Sequence, residues 1–541
     1  MADSQPRSYE DFKDDLTAAE KQVLDELDSG EPIELGDGNV PSANPGDDQL
    51  VRARFLRWVI LGCEGSSEHR VHEKGVQIAG ALVIGEGAKY NEHAALDLEG
   101  TQVACDVFLS NCWFVAKPKM IGGQMRGVFL NGSKFPGLEA DGLTTQGDLS
   151  LRDVLSDREV SLVGARIQGD LVCDNAELRN SDKDGNVVGP ALTADGAHIR
   201  GYLFLKEIKA FGEIGLRGAH VDRNLECDGA EFSNQDKSGL PNGTALTAKG
   251  AQIEGGFLWK SGEPPIGKVD LIGASIGVID DNGECWPAKG QLLLNRCQYG
   301  AFTGEDVNAQ ARLDWLDRVE QPEKGFEPQP YEQCAKVLRE MGHQGDAKDV
   351  LIEKEKLQRR AKRATLSGPS LWWHGFWDGF LASTVRYGQK PLCALFWLAG
   401  LWLAGTIAFY AAWKTESFKP NNAFVLRAPE WVLCATEGPR GVYLPSRQNI
   451  ARGRAAPGQS QLACFRDQPE AQQFPEFNAG IYTLDVLFPL VQVEQQSHWV
   501  PDEDRRPWGL FAKGLVYIEI IAGWLLSLLA VAGLSGIIKS D

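Results

Sequence analysis

The chain has 541 residues, a formal net charge of −19 and 43% hydrophobic residues. At about 100–200 residues per domain, this length predicts two to four domains or one long repeat array, and the hydrophobic fraction excludes a globally disordered chain. The acidic excess argues against a nucleic-acid partner, which needs a basic surface. A mean hydropathy of −0.25 excludes a polytopic transporter but leaves room for a few membrane spans.

The first 74 residues (1–74) predict a helical cap. The chain begins with the polar, acidic segment MADSQPRSYEDFKDD, which lacks the apolar core of an export signal. Residues 8–28 and 47–62 have helical patterns, and the second contains LVRARFLRWVILG, an apolar face with three arginines. Because the first unit of a repeat array exposes its core side, it needs a cover. We therefore predict that this region caps the domain that follows.

Residues 75–300 contain an internal repeat. The segment ALTADGAHIRG (191–201) returns as ALTAKGAQIEG (245–255), at an offset of 54 residues. A Gly-Ala marker followed by x-Ile or x-Val recurs at spacings of 32, 22, 32 and 23 residues, starting at Gly164, Gly196, Gly218, Gly250 and Gly273. The longer spacings contain insertions rich in Asp, Gly and Asn, which are typical of surface loops.

This glycine density disfavours helices, whereas stacked short strands bury apolar side chains between neighbouring repeats. The sequence therefore predicts a mainly β fold: a parallel, right-handed β-solenoid (β-helix) of about nine or ten coils with helical caps, followed by a two-helix transmembrane module.

The two positions after each Gly-Ala marker predict opposite faces of the solenoid wall. The first is polar and should face solvent: Arg166, His198, His220, Gln252 and Ser275. The second is always Ile or Val and should face the core: Ile167, Ile199, Val221, Ile253 and Ile276. Cys173 and Cys227 occupy equivalent repeat positions and should be small core residues.

His198 and His220 would lie on adjacent coils, where they could hold a metal between them. No third ligand is apparent from the sequence pattern, so we predict no metal site.

Residues 301–388 predict a helical linker. Helical patterns cover 306–321, 330–342 and 346–363, with Gly342 as a C-terminal stop. The run KEKLQRRAKR (354–363) places six Lys or Arg residues within ten positions. The aromatic-rich segment 369–388 predicts an interfacial helix on the inner membrane surface.

Residues 389–541 predict the transmembrane module. The apolar runs 391–413 and 514–538 are long enough to span a bilayer core of about 30 Å. The basic run before the first span predicts that both termini are cytoplasmic and that the connection 414–513 is external. We therefore expect a two-pass protein of the inner (plasma) membrane, with the lipid bilayer as one partner.

The external connection holds two cysteines, Cys434 and Cys464. In an oxidising compartment they would form one disulfide, and the alternative is two free thiols. The apolar segment GIYTLDVLFPLVQV (480–493) is too short to cross a bilayer. It is either a re-entrant pore segment, with Asp485 and Glu494 as acidic rings in an oligomer, or an external helix packed on a small domain.

Glu519 is the one residue within either predicted span that carries a charge at neutral pH in water. An intramembrane carboxylate is costly and is treated as functional by default. Two interpretations stay open. Its side chain reaches the headgroups, or it faces an inter-subunit cavity where it attracts cations together with Asp485.

The GAxIxGxLxC coils, the helices YEQCAKVLREMG and DAKDVLIEKE, and the two C-terminal spans together resemble a group of bacterial membrane proteins related to pentapeptide-repeat β-helices. The resemblance covers nearly the whole chain. It implies the solenoid fold and a bacterial inner-membrane location, and it carries over no catalytic residue.

The sequence shows no GxxxxGK[ST], no strand–turn–helix GxGxxG and no HExxH. We expect a protein that is not an enzyme, with no catalytic, cofactor-binding or metal-binding residue. The leading hypothesis is a membrane-anchored scaffold whose solenoid surface binds an unidentified protein. The alternative is a pore or channel-like subunit regulated by the solenoid, and a homo-oligomer is expected.

Overall fold

The chain forms two compact units in a computed structural model. The strand-rich unit is Met1–Ala361 and the helical unit is Lys362–Asp541, so the division falls within the predicted linker 301–388. The structure describes residues 9, 13–42, 45–64, 66–85, 95–182, 186–236, 238–304, 306–323, 325–367, 369–384, 386–387, 390, 392–438, 442–443, 450–451, 454–488 and 492–534.

Three stacks of parallel strands form most of the strand-rich unit, an arrangement consistent with a β-helix or solenoid. Sheet 1 contains Ile33–Glu34, Val76–Ala79, Gln102–Val103, Val107–Ser110, Gln124–Met125, Val128–Phe129, Thr144–Thr145, Leu149–Ser150, Arg166–Ile167, Leu171–Val172, His198–Ile199, Leu203–Phe204, His220–Val221, Leu225–Glu226, Gln252–Trp259, Ser275–Asp281 and Gln298–Thr303. Sheet 2 contains Leu50–Arg52, Leu82–Ile84, Trp113–Phe114, Lys134–Phe135, Leu155–Ser156, Glu177–Arg179, Lys209–Phe211 and Glu231–Ser233. Sheet 3 contains Leu138–Glu139, Val160–Ser161, Leu192–Thr193, Ile214–Gly215, Thr244–Thr247, Lys268–Asp270 and Leu292–Leu293.

A typical repeat supplies four short strands to these sheets. One repeat contributes Thr144–Thr145 and Leu149–Ser150 to sheet 1, Leu155–Ser156 to sheet 2 and Val160–Ser161 to sheet 3. The next repeat begins with Arg166–Ile167, which pairs in parallel register with Thr144–Thr145. Equivalent positions of successive repeats therefore stack on one another, which is how strands of two residues bury their apolar side chains.

The predicted alternation between solvent and core is confirmed. Ile167 and Ile199 are fully buried, while Arg166 is exposed and His198 is partly exposed. The remaining core positions of this ladder are also buried: Val221, Ile253 and Ile276.

The two equivalent cysteines, Cys173 and Cys227, are completely buried. Burial raises the pKa of both thiols because a thiolate would lose its hydration there. They therefore behave as small neutral core residues, as the repeat position predicts.

Aspartates at several turns link one repeat to the next. Asp148 Oδ1 accepts a hydrogen bond from the backbone N–H of Asp170 at 2.8 Å, and Asp170 Oδ1 accepts one from Tyr202 N–H at 2.8 Å. Asp174 accepts from Lys206 N–H at 3.0 Å in the same way. These carboxylates pair turn amides that a two-residue strand leaves outside the sheet ladder, which gives many of the acidic residues a structural role.

The two longer repeats carry their extra residues as hairpin-like insertions after Asn180 and Asn234. Each asparagine closes its insertion by donating from Nδ2 to a carbonyl oxygen at 2.8 Å, that of Pro190 in the first and Thr244 in the second. Val188 is 54% exposed and Leu240 61% exposed, so the described parts of the insertions lie on the surface as predicted.

The N-terminal region contributes strands as well as helices. Helix α1 (Ala18–Glu26) starts with a capping box between Thr17 and Glu20, and helix α2 spans Ala53–Ile60. The prediction of one helix over 47–62 is wrong at Leu50–Arg52, which forms a strand paired with Leu82–Ile84. The carboxylate of Glu20 accepts hydrogen bonds from the backbone and side chain of Arg52, which fixes this strand at the end of sheet 2.

Three helices follow the last strand of sheet 1, in agreement with the sequence pattern: α3 (Ala309–Leu316), α4 (Gln329–Glu340) and α5 (Gln344–Ala364). Gly342, with φ +91°, lies between α4 and α5, as expected of a helix stop. One continuous hydrophobic core includes residues from Ala19 in α1 to Val350 in α5.

The helical unit contains α6 (Pro369–Thr384), α7 (Cys393–Lys414), α8 (Ala423–Arg427), α9 (Pro429–Val432), α10 (Gln461–Arg466), α11 (Ala479–Leu487), α12 (Gln495–His498) and α13 (Trp508–Leu534). Antiparallel strands Phe418–Pro420 and Trp499–Pro501 pair within it, as do Val442–Tyr443 and Ile450–Ala451.

Two helices of this unit, Cys393–Lys414 and Trp508–Ala532, are long and apolar enough to cross a membrane. The second begins six residues before the predicted span 514–538. Residues 391 and 535–538 of the predicted spans, and the tail 539–541, lie outside the described residues.

Candidate functional site

Helix α11 packs against both long apolar helices. Trp402 Nε1 of α7 donates to the carbonyl oxygen of Gly480 in α11 at 3.0 Å, and the hydroxyls of Thr406 and Thr483 lie 3.4 Å apart. On the other side, a Cβ added to Gly523 of α13 would overlap the carbonyl oxygen of Leu487. The apolar run 480–493 therefore forms, over its first eight residues, one edge of a three-helix cluster. Residues 489–491 are outside the described chain.

Glu519 lies inside this cluster. Its side chain projects from α13 and is 1% exposed, facing Gly405 of α7 and Thr483 of α11. Glycine is needed at 405 because a Cβ there would overlap Glu519 Oε1. Glu519 Oε2 is buried and accepts no hydrogen bond from the described residues. A buried carboxylate oxygen without a donor is costly, so this is the strongest candidate for a functional group in the helical unit.

Asp485 and Glu494 have other surroundings. Asp485 accepts hydrogen bonds from the backbone N–H groups of Val493 at 3.1 Å and Gln496 at 2.8 Å, so both carboxylate oxygens are bound to the backbone around the start of α12. Glu494 is exposed and has a left-handed backbone, φ 62°, just before α12. Their arrangement as acidic rings in an oligomer stays a prediction.

The connection between the two apolar helices is closed by a disulfide and an aromatic cluster. Cys434 and Cys464 are bonded, with their Cα atoms 5.7 Å apart. The ring of Trp413 packs against Phe477 at 4.7 Å and against Trp499 at 5.0 Å. The aromatic cluster belongs to a hydrophobic core that the connection shares with α7 and α13, through Phe409 and Ala512.

Helix α6 exposes large aromatic side chains. Trp372 is 84% exposed, Trp373 62% and Phe376 63%. Such exposure is unusual at the surface of a soluble domain. It fits the predicted location at a membrane interface, where an indole ring has apolar and polar neighbours at once.

A second cluster of chemically active groups lies on sheet 1. His198 Nε2 is 2.9 Å from Asp222 Oδ1, and His220 Nε2 is 3.5 Å from the same oxygen. His220 Nε2 is also 3.0 Å from Glu254 Oε1. The sequence interpretation found the two histidines and missed both acids. The sequence does contain a signal for the two acids. Asp222 follows His220 by two residues and Glu254 follows Gln252 by two residues, and residues two apart on a strand share a face.

Comparison of the chain with protein-family models, curated proteins and solved structures finds no match.

The contact between Gly405 and Glu519 predicts the effect of a single methyl group. Gly405→Ala should disturb the three-helix cluster, since the new Cβ would overlap Glu519 Oε1 and approach Thr483 Cγ2. We expect a lower thermal midpoint for the helical unit, measured by fluorescence of its tryptophans in detergent. Gly400→Ala, on the same helix with open space around it, is the control and should have no such effect. Equal midpoints for the two variants would contradict this packing.

Proposed function

We propose that the chain is a two-pass protein of a bacterial inner membrane that displays a right-handed β-solenoid in the cytoplasm as a docking scaffold for another protein. In this proposal α1 and α2 cap one end of the solenoid and α3 to α5 cap the other. The observation that carries it is the presence, in one chain, of a long in-register parallel stack and two helices able to span a membrane.

The outward ladder of sheet 1 supports the docking role. Its polar side chains follow one another in register along the stack: Gln102, Gln124, Thr144, Arg166, His198, His220, Gln252, Ser275 and Gln298. Backbone hydrogen bonds between adjacent strands hold their spacing, so a partner meets a preorganised surface and little ordering entropy opposes binding.

The membrane anchorage and its orientation are tested together by cysteine labelling. Ser238→Cys and Gln472→Cys replace exposed residues of the strand-rich and helical units, in a background without the partly exposed Cys105 and Cys393. A membrane-impermeant maleimide added to intact cells should label position 472 and reach position 238 only after permeabilisation. Labelling of position 238 in intact cells would refute the cytoplasmic location.

The docking role is tested with a photo-crosslinking amino acid placed on the outward ladder in living cells. Position 124, an exposed ladder residue, should give a discrete adduct with another protein. The matched control is position 238, at the tip of an insertion away from the ladder. Ser275, another exposed residue of the ladder, is tested in the same way. Adducts of equal yield at positions 124 and 238 would refute the docking surface, and so would the absence of adducts at both 124 and 275.

The second candidate is a homo-oligomeric pore, and the buried Glu519 carboxylate favours it. A carboxylate without a donor between three helices is the kind of group that binds a cation or a proton within a membrane. Under this alternative, purified protein in lipid bilayers conducts cations, and Glu519→Gln lowers the conductance without changing assembly. If the purified protein assembles and passes no ions, the pore alternative is refuted and the scaffold proposal stands.

A further inference from the structure

The histidine cluster on sheet 1 is built by the register of the strands. His198–Ile199 and His220–Val221 are adjacent parallel strands in which the two histidines are direct partners. Their rings stack with centroids 4.7 Å apart and an interplanar angle of 12°. Because the side chains of Ile199 and Val221 are buried in the core, the two strands cannot rotate about their axes, and both imidazoles stay on the outer surface.

Both histidines direct the same ring nitrogen at one acid. Nε2 of His198 and Nε2 of His220 lie 2.9 and 3.5 Å from Asp222 Oδ1. One ligand atom from each of these three residues lies within 4.8 Å of the others. Two nitrogens bound to one tetrahedral Zn²⁺ at about 2.0–2.1 Å are about 3.3 Å apart, so small side-chain rotations bring these atoms to coordinating distance.

The next strand brings a fourth donor. Gln252 is the register partner of His220, and Glu254 follows it by two residues on the same face. Glu254 Oε1 is 3.0 Å from His220 Nε2, and its side chain is 63% exposed and thus free to adjust. The donor set is therefore two imidazole nitrogens and two carboxylate oxygens, contributed by three successive strands.

We propose that His198, His220, Asp222 and Glu254 bind one divalent transition-metal ion of the zinc class. Imidazole with carboxylate is a donor set for Zn²⁺, Co²⁺ or Ni²⁺, whereas Mg²⁺ and Ca²⁺ need oxygen ligands throughout. All four groups are partly exposed, so a water molecule can complete the coordination. A bound ion links three neighbouring strands and stabilises the folded stack by mass action.

Two positive charges lie on this face: Arg200 stands two residues after His198, and a second arginine comes from the strand on the other side. Arg166 is the register partner of His198, and its guanidinium is exposed. The two carboxylates balance these two positive charges, and removing one of the arginines leaves the face more favourable to a cation. Arg166→Gln should accordingly tighten metal binding. If the histidines only stabilise the strands, this substitution should not raise the metal affinity.

The test uses the full-length protein in detergent, freed of metal by chelation and titrated with Co²⁺ and Zn²⁺. We expect one ion per chain, a cobalt spectrum without a thiolate charge-transfer band, and a higher unfolding midpoint with Zn²⁺. His198→Asn and His220→Asn should each weaken binding at least about tenfold, since loss of even an outer-shell partner costs about 10–100-fold. Asn suits these positions because Gln252 already places an amide on the same ladder.

The control is His343→Asn, which removes a histidine that faces a single acid, Asp346 at 3.5 Å. It should leave affinity and stoichiometry unchanged. Binding that survives in the His198→Asn/His220→Asn double variant would place the ion elsewhere, and a thiolate band would place it on cysteine. Either result would overturn the proposal. Failure of the wild-type protein to bind either ion would overturn it equally, with the docking role unaffected.

Discussion

Ile199→Asp is expected to unfold the strand-rich unit or to lower its unfolding midpoint severely. Ile199 is fully buried and is stacked between Ile167 and Val221 of the neighbouring strands. A carboxylate at this position has no partner, and burying it costs several kcal/mol, a large part of the stability of a typical domain. Circular dichroism of the β signal during heating of the full chain measures the effect.

Two controls separate this effect from a general sensitivity of the strand. Ile199→Val removes one methyl group and should cost only about 0.5–1.5 kcal/mol. His198→Asn changes the adjacent outward residue and should be nearly silent when no metal is present. A loss at position 198 as large as that of Ile199→Asp would contradict the assignment of the two faces.

Arg312→Met should also destabilise the strand-rich unit strongly. The Arg312 guanidinium of α3 binds both carboxylate oxygens of Asp281, at 2.7 and 3.1 Å, and both side chains are almost completely buried. Arg312 Nε also donates to the carbonyl oxygen of Asp306 at 2.8 Å. Removing the arginine leaves a buried carboxylate, which typically costs about 3–5 kcal/mol.

The matched control is Lys289→Met, which breaks an ion pair with Asp317 in which both side chains are mostly exposed. It should cost less than about 1 kcal/mol. The Asp281→Leu/Arg312→Met double variant should recover part of the loss, because it leaves neither charge unpaired. Similar losses for Lys289→Met and Arg312→Met, measured by the same thermal unfolding, would argue against a buried pair.

The features that the sequence predicts correctly are those encoded by the spacing of residues close together in the chain. The alternation of His198 and Ile199 is a period-two pattern that any strand with one buried face must show. The long apolar helices were visible as extended apolar runs, and the helices after residue 305 followed from their periodicity. Each of these features depends on local spacing alone.

Sequence reasoning fails where residues meet across strands or helices. Asp222 and Glu254 reach His220 only because the repeat register places them on one face, at offsets that the insertions make unequal. The facing of Glu519 and Gly405 depends on the rotation of two helices about their axes, which composition does not determine. The pattern of 47–62 predicts a helix at Leu50–Arg52, because a short run of apolar residues and arginine fits either a helix or a strand. Only the pairing with Leu82–Ile84 decides for a strand.

The insertions closed by Asn180 and Asn234 indicate how this chain grew. They occur in every second repeat over this stretch, at the 54-residue offset that also relates ALTADGAHIRG to ALTAKGAQIEG. The duplicated module was therefore a pair of repeats, one plain and one with an insertion. Because each module offers its successor the same strand register and a side-chain oxygen at the same turn position, as Asp170 and Asn224 do, a copy can be gained or lost in evolution without rebuilding either end of the stack.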